Sequence, residues 1–151
     1  MRVAVGADHA GFELKRDLAG ALAQQGHEIL DLGTHSSAPV DYPDIAEAVA
    51  TAIRNGQVDR GVIVCGSGAG VAVAACKFPG VRAAVCHDCY TAKQAVEHDD
   101  VNVLCLGARV IGPALARLLV ESFLTAGFKA EERYMRRLEK IEAIESKFTR
   151  E

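Results

Sequence analysis

Cys65 ends the apolar run Val62-Ile63-Val64 and opens the segment Gly66-Ser67-Gly68-Ala69-Gly70. The run reads as a short buried strand, and Val71 to Lys77 as an apolar helix. Three glycines in five residues let backbone amides approach a ligand closely, and a helix N-terminus favours negative charge. A thiol at such a junction sits where a thiolate is favoured. The expected chemistry is a cysteine base beside an anion hole made by the glycine-loop amides. A tight turn with nothing bound is the plainer alternative, since a lone cysteine is more often packing than chemistry. The loop also approaches a dinucleotide-binding pattern, with Asp88 downstream for a ribose. Val71 occupies the third glycine position, however, and the loop follows the third strand rather than the first. No cofactor is expected.

Other residues could serve such a site. Asp8-His9 follows the strand Arg2 to Gly6 and reads either as a helix cap with a surface histidine or as a ligand for a sugar hydroxyl or phosphate. Arg133 and Arg137 lie four apart on a helix and share a face, where two guanidiniums can clamp a phosphate. Arg109, after the fifth strand, is a third cation. His98-Asp99-Asp100 reads in isolation as a solvated helix end. Cys86-His87-Asp88-Cys89 has the two-residue spacing of redox and zinc sites, but no second cysteine pair exists, so no metal is expected. Cys76 and Cys105 read as core.

The elements that must position these groups alternate. Strands are expected at Arg2 to Gly6, Glu28 to Leu32, Gly61 to Val64, Val81 to Cys86 and Asn102 to Leu106. Helices are expected at Phe12 to Gln25, Asp44 to Arg54, Val71 to Lys77, Tyr90 to His98, Pro113 to Ala126 and about 130–149. Gly33 to Pro43 reads as a polar loop carrying His35, Asp41 and Tyr42. The fold class is α/β: a single-domain, Rossmann-like three-layer sandwich over 1–151, with a five-stranded parallel sheet covered on both faces. The last helix has a narrow apolar stripe (Leu138, Ile141, Ile144), which fits a subunit-contact arm, although packing on its own sheet fits as well. Ligands of open parallel sheets bind beyond the carboxyl ends of the strands. Asp8-His9, Cys65 to Gly70 and Gly107 to Arg109 sit there. His98 precedes the fifth strand, at the opposite end, so a functional His98 is expected to arrive from a second subunit.

Composition narrows the class. The formal net charge is −3 and tryptophan is absent, which removes a basic field and weakens any stacking platform for nucleic acid. No apolar run reaches the roughly 20 residues of a membrane span. The start reads as a strand entering a turn rather than a signal peptide, and the five cysteines fit reduced thiols. A cytoplasmic location is expected, with no membrane or nucleic-acid partner.

Taken together, Gly6-Ala7-Asp8-His9-Ala10-Gly11-Phe12, Asp41-Tyr42-Pro43, Cys65 to Gly70, Lys77 to Ala83, Glu97-His98-Asp99, Gly107-Ala108-Arg109 and Arg133 to Arg137 resemble the sugar-phosphate isomerase family. That family contains type B ribose-5-phosphate isomerases and galactose-6-phosphate isomerase subunits. The resemblance covers essentially the whole chain. It implies an aldose–ketose isomerase interconverting ribose 5-phosphate and ribulose 5-phosphate without cofactor. It implies Cys65 as the base between C1 and C2, with Ser67 and the amides of Gly66, Gly68, Ala69 and Gly70 stabilising the enediolate. His98 would open the furanose ring as acid. Asp8 would hold a sugar hydroxyl, Tyr42 would line the site, and Asp99 would contact substrate. His9, Arg109, Arg133 and Arg137 would bind phosphate. It also implies a homodimer with shared active sites, which a dimer of dimers would preserve. Some relatives place a glutamate base where Val71 stands, so the chain resembles the cysteine type. Asp99 replaces a common asparagine, Cys76 another, and Tyr134 a histidine found in some relatives. A carboxylate at 99 cannot donate unless protonated and repels phosphate, which leaves a hexose phosphate or an unphosphorylated rare sugar as alternatives. A non-catalytic nucleotide- or sugar-phosphate-binding module is the non-enzymatic alternative.

Overall fold

The computed structural model describes residues 1–150. Its elements run β1 (Arg2–Ala7), α1 (Phe12–Gln24), β2 (Glu28–Asp31), α2 (Tyr42–Arg54), β3 (Arg60–Cys65), α3 (Ala69–Ala75), β4 (Ala83–Val85), α4 (Cys89–Asp99), β5 (Val103–Gly107), α5 (Pro113–Thr125) and α6 (Glu132–Phe148). The five strands pair in the order β2-β1-β3-β5-β4, every pair parallel.

The central strands are apolar on both sides because both sides are covered. Along β3, Val62 and Val64 face a core shared with α1, α4 and α5, while Ile63 and Cys65 face a second core with α2 and α3. The period of two thus decides which layer the thiol belongs to. From β1 the chain steps one way to β2, then back across to β3. This reversal leaves a crevice beyond the carboxyl ends of β1 and β3, where open α/β sheets bind ligands. Register brings the strand ends level: Ala7 pairs with Val64, and Cys65 with Gly107.

Three local expectations are corrected. α2 begins two residues early, so Tyr42 is its first residue rather than part of a loop. Pro43 sits in that first turn, where its fixed φ suits a helix start. β4 shrinks to Ala83–Val85 at the sheet edge, because Arg82 N–H is taken by the Asn102 side chain at 2.8 Å. α3 ends at Ala75, so Cys76 is its exposed cap rather than core, with its sulfur 3.3 Å from the Ala83 carbonyl. The final helix docks on its own chain: Lys129 N–H donates to the Glu97 carbonyl at 2.9 Å, Tyr134 is buried, and Glu145 accepts from Gly80 N–H. Its apolar stripe stays largely open, with Ile141 43% and Ile144 61% exposed.

Two cations, Arg60 half-buried and Lys15 buried, tie elements together. Arg60, at the start of β3, donates to the Phe123 and Ala126 carbonyls at the end of α5, which has no backbone cap of its own. Lys15 on α1 is only 2% exposed, and its Nζ reaches Asp31 at 2.8 Å and the Thr34 carbonyl at 2.5 Å.

Candidate active site

The site forms where β1, β3 and β5 end. Lys15 pins the Gly33-Thr34 segment across the β1 end, where Thr34 N–H donates to Ala7 and Ala7 N–H to Gly33. Gly11 follows because a side chain there would collide with the Val64 carbonyl. Asp8 is therefore held against β3, with its N–H on the Val64 carbonyl at 3.2 Å. Its Oδ1 accepts from Ala10 N–H at 3.0 Å and Gly11 N–H at 3.1 Å, and Oδ2 takes part in neither bond. Asp8 is 7% exposed, and its carboxylate is oriented by its own turn.

Cys65 is 4% exposed, and Gly68 N–H donates to its sulfur at 3.1 Å. Gly68 needs to be glycine: its φ is +82°, and a Cβ would sit 3.1 Å from the Leu106 backbone. An alanine in that left-handed conformation would cost about 1–2 kcal/mol. Gly70 makes room for the Tyr42 ring, which would lie 2.7 Å from an added Cβ. Arg109 lies over Gly66, its backbone N–H on the Gly66 carbonyl at 3.1 Å. Val71, which completes the near-dinucleotide pattern, is fully buried in the second core.

These residues enclose a cavity of about 330 Å³ lined by Asp8, Tyr42, Cys65, Gly66, Ser67, Gly70, Arg109 and Val110. A thiol, a carboxylate, a hydroxyl and a guanidinium line one small, open pocket. This suits a small polar ligand with an anionic group. His9 stands at the same end of the sheet, exposed and outside the lining, with Nδ1 accepting from Val40 N–H at 3.2 Å. A neutral His9 therefore carries its proton on Nε2.

The other expected residues are not in this cavity. α4 returns against the strands, so His98, near its carboxyl end, lies at the opposite end of the sheet from Cys65. β5, five residues long, separates those ends by about 16 Å. His98 stacks on Tyr134, ring centroids 4.1 Å apart and 15° from parallel. Arg133 and Arg137 are exposed on the same helix as Tyr134. Asp99 lines a separate groove between α6 and the β4 edge, with Cys76, Arg82, Ile141 and Phe148. The Cys86–Cys89 segment holds no dithiol pair in place: Cys86 is buried, Cys89 is exposed, and both are free.

Sequence reasoning missed two supporting residues. His87 Nε2 accepts from Gly107 N–H at 2.9 Å, fixing the strand end that carries Arg109. The strand-end rule that found Asp8 would have found His87 also, since it follows β4. Lys15 gave no such signal, because a lysine on a helix ordinarily reads as solvated.

A parallel α/β sheet with a thiol, glycine loop and carboxylate at its switch point has the form of an anionic-substrate enzyme. Residues 3–141 match the family described as Ribose/Galactose Isomerase, and the chain belongs to that family. It is a sugar-phosphate aldose–ketose isomerase. Among relatives, it is 43% identical over 146 residues to ribose-5-phosphate isomerase B of Escherichia coli, covering 97% of each chain. It is 40% identical over 131 residues to D-erythrulose-4-phosphate isomerase of Pectobacterium atrosepticum, covering 85% of this chain and 86% of that one. Among solved structures, ribose-5-phosphate isomerase B of Clostridium thermocellum superposes with a TM-score of 0.96 at 45% identity, covering 99% of this chain and all of that one. The Mycoplasma genitalium enzyme with bound ribulose-5-phosphate superposes at 0.91 with 37% identity, covering 98% and 97%.

Proposed function

We propose that the protein interconverts ribose 5-phosphate and ribulose 5-phosphate, with Cys65 as the base. The observation that carries this is the cavity itself, whose lining brings Cys65, Asp8 and the glycine loop together, with a loop amide on the Cys65 sulfur. In the open-chain aldose, the thiolate removes the C2 proton. The electron pair forms the C1–C2 double bond and leaves charge on O1. Ser67 and the remaining loop amides donate to that oxyanion, each such donor lowering the barrier by roughly 3 kcal/mol. The proton then goes to C1, the O2 hydroxyl becomes the carbonyl, and its proton passes to O1. Asp8 Oδ2 accepts from a sugar hydroxyl, and Tyr42 closes one wall. The phosphate lies toward His9, Arg109 and the paired cations Arg133 and Arg137. Binding of that remote group orients the reacting end.

His98 opens the furanose ring and comes from a second copy of the chain. The support is geometric: His98 and the two terminal arginines lie at the end of the sheet away from their own Cys65. A homodimer placing one chain's α4–α6 end over the other's cavity completes two sites. Asp99 travels with His98, and its carboxylate supports a second reading in which a sugar of different length is preferred. The relative that isomerises D-erythrulose 4-phosphate is consistent with that breadth.

Solvent proton exchange at C2, measured across phosphorylated and free tetroses, pentoses and hexoses, tests both readings. Fastest exchange with ribose 5-phosphate is the expected result. Faster exchange with another sugar replaces the substrate but keeps the mechanism, and no exchange with any sugar removes Cys65 as a base. With ribose 5-phosphate the substrate, His98→Asn should slow the cyclic aldose more than an open-chain analogue.

A further inference from the structure

α6 buries one side chain well, and it is aromatic: Tyr134 is 5% exposed on a helix whose other residues are mostly open. One contact of its ring is His98, stacked at 4.1 Å and 15°. A second is Arg133, whose guanidinium carbon lies 4.6 Å from the ring centroid. Arg133 Nη2 also donates to the Tyr134 hydroxyl at 2.8 Å, while Glu131 holds the same guanidinium nitrogen at 3.4 Å. A near-parallel stack fixes the plane of an imidazole and so the direction in which its nitrogens present a proton. The hydroxyl bond and the cation–π contact limit where an otherwise exposed guanidinium can swing.

We propose that Tyr134 is a positioning residue with two separable tasks: its ring orients His98 for ring opening, and its hydroxyl sets Arg133 for the phosphate. This rests on the roles proposed above for His98 and Arg133. The plain alternative is that Tyr134 only anchors α6 on α4. Anchoring predicts that ring and hydroxyl changes act on stability alone. Positioning predicts a split, with the ring governing kcat and the hydroxyl governing KM.

The test is steady-state kinetics on ribose 5-phosphate with full-length variants whose fold and melting temperature are checked. Tyr134→Leu keeps an apolar anchor but removes the flat face, and should lower kcat by about 10- to 100-fold, as small misplacements of catalytic groups do. Tyr134→Phe keeps the face and should hold kcat near wild type while raising KM several-fold. Adding Tyr134→Leu to His98→Asn should then change kcat no further, because a residue acting through His98 has nothing left to position. A folded Tyr134→Leu with unchanged kcat overturns the proposal. Equal kcat losses in the Phe and Leu variants overturn the assignment of the ring. Additive losses in the double variant make Tyr134 merely structural. Loss of the parent reading looks different: the wild type would be inactive on ribose 5-phosphate, or His98→Asn alone would be harmless.

Discussion

Cys65 is placed by two independent constraints that meet at one atom. Strand alternation turns its side chain toward the α2–α3 layer, and the left-handed Gly68 brings an amide to its sulfur. Cys65→Ala should leave the fold intact and lower turnover by at least about 100-fold, the lower range for removal of a proton-transfer group. Circular dichroism and turnover of purified variant check this, and near-normal turnover would remove Cys65 from the chemistry. The other thiols divide by burial. Desolvation pushes the Cys86 thiol up to about 11 from its ordinary 9.0, and burial raises Cys105 as well. Below pH 9 these thiols are protonated in folded and unfolded chains alike. Between pH 9 and about 11 the unfolded chain loses protons that the folded chain keeps, so stability should fall as pH rises through that window. Urea midpoints at pH 8 and 10.5 measure the drop. A Cys86→Ala variant should show a shallower one.

The elements follow from pattern far better than their ends do. Short apolar runs for the strands and the 3.6 period of the helices made all five strands and six helices legible, along with the sheet direction that separates Cys65 from His98. What was not legible depends on contacts between segments distant in sequence. β4 is cut short by the Asn102 side chain, Cys76 is exposed because α3 stops early, and Lys15 is buried only because Asp31 and Thr34 meet it. Asp8, Cys65, Ser67 and Arg109 could be placed together from strand ends, whereas Tyr134 holding His98 could not, since nothing local pairs those helices. Arg60 belongs with the unreadable group. It caps α5 from another element, and Arg60→Met keeps the stem against Phe123 while removing both carbonyl bonds. That variant should lose about 1–3 kcal/mol in chemical denaturation, the usual penalty for stranding buried acceptors. No loss would mean that water replaces the guanidinium.

At the scale of the molecule, the two sets of proposed catalytic groups stand at opposite ends of one sheet. Mixed assemblies test whether they meet across an interface. Cys65→Ala and His98→Asn chains, each strongly impaired alone on ribose 5-phosphate, should regain about one quarter of wild-type activity after random mixing, since half the dimers are mixed and one of their two sites is whole. No recovery in verified mixed dimers would rule out the shared site. Strand polarity then has a consequence for inheritance. In an equal mixture with intact chains, a defect in either group alone silences about half of the sites, as simple dilution would. With the proposed shared site, a chain defective in both should silence about three quarters, because it would spoil the base of one centre and the acid of the other. Under the proposed sharing, the geometry of a parallel sheet would decide whether a faulty copy is merely idle or poisons its sound partners.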